Sequence, residues 1–142
     1  MNILIVEDNL AHQRITEYAL KRSAVPFVIN VVRDGQEALD YLYRREKYSD
    51  DRQFPIPKII LLDLNLPKRD GREVLKVIKN DAALRDIPVV IVSTSDREED
   101  VHYAFETGAV AYISKSSGFD KFNEQVAGIA QYARTGSSTE IH

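Results

Sequence analysis

Short apolar runs alternate along this chain with stretches of helical periodicity. Ile59–Leu62 is apolar without a break and runs into Asp63. A continuous apolar run of this length reads as a strand buried on both faces, as in a parallel sheet. Asn65 and Pro67 then break the pattern and mark a loop. Asn2–Val6, the β-branched Phe27–Val32, Val89–Val92 and Val110–Ser114 are the other predicted strands. Asp63 thus sits at the carboxyl edge of a central strand, the edge at which open α/β sheets place ligand sites.

Helical stretches fill the gaps. Asp8 or Asn9 is placed to cap a first helix, in which Ala11, Ile15, Tyr18, Ala19 and Arg22 share a face. Asp34 caps a second, with Ala38, Leu39 and Leu42 inward. A third follows the loop Pro67–Gly71, in which Gly71 is expected to take a backbone shape that other residues resist. Val74, Leu75 and Ile78 form that helix's inner face, and Pro88 starts the next strand. Asp96 is expected to cap a fourth helix with Val101, Ala104 and Phe105 inward, closed by Gly108. Phe119, Phe122, Val126, Ile129, Ala130 and Ala133 make one face of a last helix.

Two segments lack a packing pattern. Arg44–Pro57 begins as helix, then loses its period among charges and two prolines. It reads as a long solvated loop, with a partner contact as the alternative. Thr135–His142 is polar and reads as a flexible tail. The expected organisation is one domain over residues 1–134 and a tail over 135–142. The βα unit recurs five times, which predicts an α/β fold: a five-stranded parallel sheet with helices on both faces.

Composition narrows the function classes. The chain has 142 residues, a length that suits one core, and apolar residues make up 44% of it. It has no cysteine, which excludes disulfides, thiolate metal sites and thiol catalysis. That fits a reducing, cytoplasmic setting. Met1–Val6 is apolar but stops at Glu7 and Asp8, short of a signal peptide or membrane span. The net charge of −3 and the lack of a basic block disfavour nucleic acid as a partner.

The candidate chemistry lies at the strand ends. The first strand ends at Glu7–Asp8, the third at Asp63, the fourth at Ser93 and the fifth at Lys115. Taken singly, each has an ordinary reading: an acidic pair that favours a helix start, a surface lysine, a turn serine. Placed together on one sheet edge, the carboxylates cannot all ionise cheaply without a cation. Hard oxygen ligands suit Mg²⁺, which would supply positive charge to a phosphoryl group. Asp63 is then a plausible nucleophile. Lys115 is placed to pair with Asp63 or a phosphoryl oxygen, and Ser93 to donate to another.

These strand ends lie in the runs ILIVEDN (3–9), DG-x2-AL-x2-L (34–42), IILLDLNLPKRDG (59–71), IPVVIVSTS (87–95) and GAVAYISK (108–115). In that order they resemble the receiver domain of bacterial two-component response regulators, over roughly Asn2 to Arg134. The resemblance implies a doubly wound (βα)5, flavodoxin-like fold. It implies Mg²⁺ held by Glu7, Asp8, Asp63 and the Asn65 backbone carbonyl, with Asp63 as phosphoacceptor. Ser93 would be the hydroxyl switch residue and Lys115 the phosphate-pairing lysine. Tyr112 would be the aromatic switch that turns inward when Ser93 engages phosphate. Thr94 would bear on access to the acyl phosphate, and Asn65 and Ser95 fall where the family tunes dephosphorylation. A histidine kinase is the implied phosphodonor. Output would pass through a homodimer, a downstream protein or onward phosphotransfer.

Ser116 stands where the family usually has proline, which leaves the Lys115–Ser116 peptide open between trans and a cis form costing about 2.5–4 kcal/mol. With the 44–57 segment and the run LDLNLPKRDGREVLKVIK, this serine makes the chain similar to the small stand-alone regulators paired with bacterial phytochromes.

Two other functions compete. A small-substrate aspartyl phosphotransferase or phosphatase often carries a second acid two residues after its nucleophile, and here that residue is Asn65. A non-phosphorylated binding module would not need the full set of acids, serine and lysine. A dinucleotide binder lacks its glycine-rich turn after the first strand. His12, His102 and His142 have no partner at ligand spacing and read as surface residues.

Overall fold

The computed structural model describes residues 2–23 and 26–135. The described residues form β1 (Asn2–Val6), α1 (Leu10–Arg22), β2 (Val28–Val32), α2 (Gly35–Leu42), a 3₁₀ turn (Glu46–Ser49) and β3 (Ile59–Leu62). The order continues with α3 (Gly71–Asn80), β4 (Val89–Ser93), α4 (Glu98–Thr107), β5 (Ala111–Ser114) and α5 (Phe119–Thr135). The five strands form one sheet in the order β2-β1-β3-β4-β5, every neighbouring pair parallel. Residues 136–142 of the expected tail lie outside the described residues.

Alternation of side chains along the strands builds two cores. Ile3, Ile5, Ile59, Leu61, Val90 and Ile113 face α1 and α5, where Leu20, Phe122, Val126 and Ile129 cover them. Leu4, Val6, Ile60, Leu62 and Ile91 face α2, α3 and α4, beneath Leu39, Val74, Leu75, Ile78 and Ala104. All four β3 residues are buried, as a strand covered on both faces requires. Gly108 closes α4 with φ of 118°, the left-handed form expected of it.

Several expectations shift in phase. In α1 the buried residues are Gln13, Thr16, Ala19 and Leu20, whereas Ile15 and Tyr18 are exposed. The helical period holds, but the inward face includes polar Gln13, because its side-chain amide donates to the Glu7 carbonyl at 2.7 Å. Phe105 and Phe119, expected inward, are 48% and 56% exposed. Ala104 and Phe122 of the same helices do face the cores, as expected. Asp96 does not cap α4. Arg97 is the N-cap and makes no side-chain cap bond, so favourable charge at this helix start comes from Glu98, Glu99 and Asp100. Gly71 needs its missing side chain, not a special φ: an added Cβ would lie 2.1 Å from the Asp63 carbonyl oxygen.

The 44–57 segment is more than a solvated loop. The 3₁₀ turn buries Tyr48, whose ring packs on Tyr41 at 5.1 Å and on Phe54 at 4.8 Å. The Tyr41 hydroxyl donates to the Pro55 carbonyl at 2.8 Å, and Arg44 donates to the Phe54 carbonyl. Three aromatic residues spread over the segment and α2 therefore fasten it to the core. We expect Tyr48→Ala to lower unfolding free energy by about 3 kcal/mol in urea titration, the usual cost of emptying a buried aromatic site. Unchanged stability would return the segment to a solvated connection.

Candidate functional site

Register alone brings two acids together. Val6 of β1 pairs with Leu62 of β3, so the next residues, Glu7 and Asp63, leave the sheet side by side. The Asp63 amide still donates to the Val6 carbonyl at 3.0 Å, and the Glu7 amide to Val32 at 3.0 Å. Both side chains are nearly closed to solvent, at 5% for Glu7 and 8% for Asp63. Asp8 follows in the exposed turn before α1. Carboxylate oxygens of Glu7, Asp8 and Asp63 all lie within 4.8 Å of one another.

Lys115 enters from the end of β5, its amide bonded to the Ser93 carbonyl at 2.8 Å. Its ammonium donates to Asp63 Oδ2 at 2.8 Å and to Glu7 Oε1. The other Asp63 oxygen, Oδ1, accepts from the Asn65 amide at 3.1 Å. Lys115–Ser116 is trans, since the described residues contain no cis peptide. Ser93, the last residue of β4, is fully buried, and its hydroxyl oxygen accepts from the Ser95 amide at 3.2 Å. Thr94 is exposed. The Tyr112 ring is half-buried against the α2–α3–α4 core, with its hydroxyl donating to the Ser95 carbonyl at 2.6 Å.

His12 differs from its expected role as a plain surface residue. It is half-buried, and its Nδ1 lies 3.2 Å from the Lys115 ammonium and 3.8 Å from Glu7 Oε1. Burial, helped by the Lys115 charge, lowers its pKa, so the neutral ring can accept from the lysine. Sequence spacing gave no sign of this, because the partners lie 103 residues apart. His102 is exposed beside Glu106, and His142 lies outside the described residues. Beside the acids, His12, Ile15, Thr16, Lys115, Phe119 and Phe122 line a groove of about 210 Å³ that opens to solvent.

The electrostatics favour a cation. Burial pushes the Glu7 carboxyl up to about 7; the Lys115 hydrogen bond opposes this, and the neighbouring Asp63 charge adds to it. Three convergent carboxylates offer hard oxygen ligands of the kind that divalent cations such as Mg²⁺ and Mn²⁺ take. No histidine or cysteine joins that cluster among the described residues.

The chain belongs to the response-regulator receiver domain family, whose model matches residues 3–127. Receiver domains are signalling domains that work with a histidine kinase and bind a divalent metal. The chain is 40% identical over 130 residues to response regulator Rcp1 of Synechocystis sp., covering 92% of this chain and 86% of that one. The phosphorylated cyanobacterial phytochrome response regulator RcpA superposes with a TM-score of 0.86 at 42% identity, covering 96% of this chain and 95% of that one. The Mn²⁺-bound form of Rcp1 superposes with a TM-score of 0.82 at 40% identity, covering 92% of each chain. The parallel sheet expected from the strand pattern, and the flavodoxin-like fold implied by the resemblance, are therefore the observed ones.

Glu7 gives the site a pH signature. Its folded pKa lies above its ordinary value of 4.5. The stability it contributes is thus complete below about 4.5 and is lost as pH rises through about 7. Above that, the metal-free site holds two adjacent buried negative charges. A divalent cation should therefore raise Tm more at pH 8 than at pH 6, by about 4 °C for each ~1 kcal/mol of extra stabilisation. An equal rise at both pH values in calorimetry would contradict the raised Glu7 pKa.

Proposed function

We propose that this chain takes a phosphoryl group from a histidine kinase onto Asp63 and uses it to reset the Ser93–Tyr112 pair. The observation that carries the reading is the convergence of Glu7, Asp8, Asp63 and Lys115 at one sheet edge, with the lysine ammonium 2.8 Å from Asp63 Oδ2. Glu7, Asp8 and Asp63, with the Asn65 carbonyl, would hold Mg²⁺. Bound there, the metal supplies positive charge against the phosphoryl oxygens.

In the transfer, an Asp63 oxygen attacks the phosphorus of phosphohistidine. The P–N bond breaks, its electron pair stays with the imidazole, and an acyl phosphate forms on Asp63. Lys115 shifts from the carboxylate to a phosphoryl oxygen. The Ser93 hydroxyl, which accepts from the Ser95 amide and lies beside the Tyr112 hydroxyl, would turn its proton to a phosphoryl oxygen. Engaging a phosphoryl oxygen draws Ser93 toward Asp63, and Tyr112 packs behind it. Thr94, which is exposed, would bear on access to the acyl phosphate. The kinase is of phytochrome type, a reading supported by the likeness to Rcp1 and RcpA. Output passes through a homodimer, a downstream protein or onward phosphotransfer in the cytoplasm, with neither nucleic acid nor membrane as direct partner. Among the described residues no helix is long and apolar enough to cross a membrane.

Intact mass after incubation with acetyl phosphate and Mg²⁺ tests the reading. One phosphoryl group should add to the wild type, none to Asp63→Asn, and none after chelation of the metal. Lys115→Ala should cut the yield at least about tenfold, the scale of losing a charge-assisted hydrogen bond to the reacting group. An adduct that persists in Asp63→Asn would remove Asp63 as acceptor, and continuous phosphate release from small esters would favour a phosphatase.

A further inference from the structure

Ser95 touches both members of the proposed switch. Its amide donates to the Ser93 hydroxyl oxygen at 3.2 Å, and its carbonyl accepts from the Tyr112 hydroxyl at 2.6 Å. Its third polar group is fixed from outside the site. The Ser95 hydroxyl donates to Asp100 Oδ2 at 2.6 Å. Asp100, in the first turn of α4, is 6% exposed. Its other oxygen, Oδ1, accepts from Arg72 of α3 twice, from Nη2 at 2.7 Å and from Nε at 3.2 Å. Arg72 also pairs with Asp70 at 3.2 Å, and the Tyr103 hydroxyl of α4 donates to the Arg72 carbonyl at 3.3 Å.

A carboxylate this deeply placed is costly unless each oxygen has a partner. Asp100 has both only while α3, α4 and the turn between β4 and α4 hold their present arrangement. The same arrangement puts the Ser95 carbonyl under the Tyr112 hydroxyl. A turn left free to move would lose that acceptor, and the half-buried ring would keep only its weaker contact with the Ser93 hydroxyl.

We propose that Arg72 and Asp100 are positioning residues for the Ser93–Tyr112 switch: by clamping the Ser95 hydroxyl they hold its carbonyl in place and favour the packed position of the Tyr112 ring. The inference rests on the reading of Ser93 and Tyr112 as the switch pair. If phosphate binds best to the state with the ring packed, the clamp lowers the cost of reaching that state, so losing it weakens phosphate-mimic binding.

The test uses the full chain labelled with 3-fluorotyrosine, as wild type, Arg72→Ala, Asp100→Asn, Ser95→Ala and the double variant Arg72→Ala/Asp100→Asn. Tyr112→Phe identifies the resonance of position 112. Two quantities are read: that fluorine shift in ligand-free protein, and the affinity for beryllium fluoride with Mg²⁺. The variants should move the resonance toward that of an exposed ring and weaken beryllium fluoride binding about fivefold, the low end of ordinary coupling. The double variant should lose no more than the worse single variant, because the residues act through one link. Ser95→Ala keeps the Arg72–Asp100 pair and decides the matter if either larger change prevents folding. Wild-type shift and affinity in the folded variants would overturn the proposal, as would tighter binding, which would mean that the clamp holds the opposite state. If the wild type binds no beryllium fluoride, the phosphoacceptor reading fails, and the ligand-free shift still decides whether the clamp positions the ring.

Discussion

The structure turns on two carboxylates forced together at the end of a sheet. The β1–β3 register fixes Glu7 beside Asp63 before any side chain chooses a rotamer. Strands buried at their core positions cannot slip by one residue without turning every apolar side chain to the wrong face. Repulsion between the acids is thus built into the packing, and the surrounding groups answer it. Lys115 reaches across from β5 to bond both acids, burial holds a proton on Glu7 to about pH 7, and exposed Asp8 completes a ligand set for a divalent cation. Ionic chemistry concentrated in this way would be wasteful as mere scaffolding. Three convergent carboxylates facing one ammonium are a site that a divalent cation would neutralise.

Close backbone contacts keep that edge rigid. Gly71 lets the start of α3 lie directly against the Asp63 carbonyl, and its amide donates to Leu64 at 2.9 Å. Gly35 plays the same part at the start of α2, where an added Cβ would lie 2.0 Å from the Arg69 carbonyl oxygen. Between them the loop after β3 is pinned on two sides. Asp63 is therefore held by its strand, by the Asn65 amide on Oδ1 and by a loop that has no room to retreat. A carboxylate so fixed would lose little entropy on reaching a reactive geometry.

How legible all this was in the sequence depended on the range of the interactions. The strands were clear because parallel strands covered on both faces must be apolar throughout, as Ile59–Leu62 is. Four strand ends then located Glu7, Asp63, Ser93 and Lys115 on one edge without reference to contacts. In α1 the inward face departs from the apolar period because a polar residue is buried for one specific bond. Gln13 takes the inward face of α1 by bonding the Glu7 carbonyl, and Ile15 and Tyr18 are displaced outward. The 44–57 segment looked solvated because its anchors, Tyr48 and Phe54, are too sparse to make a period, and they need Tyr41 of α2 to form a cluster. The Lys115–His12 contact and the Arg72–Asp100 pair span 103 and 28 residues. No local pattern announces such partners.

The division between fixed and movable parts explains why a switch would reside in Ser93–Ser95. β3 and β4 are hydrogen-bonded to both neighbours and closed to solvent, so a change at Asp63 cannot travel by bending either strand. Tyr112 and Lys115 belong to one stretch of chain, but they serve opposite faces of the sheet: the ring lies against the α2–α3–α4 core, the lysine beside α1 and the acids. The sheet is a wall between them. The turn after β4 goes around that wall, with Ser93 buried at its start, Thr94 exposed and Ser95 bonded to both the serine and the tyrosine. A displacement of Ser93 by a fraction of an ångström must strain either the Ser95 amide bond or the Tyr112 bond, since one residue carries both. Packed interiors answer such strain by moving between discrete arrangements rather than by yielding smoothly. What fixes Ser95 from the far side therefore sets how readily the turn changes state, and Asp100, held in turn by Arg72, is the group placed there.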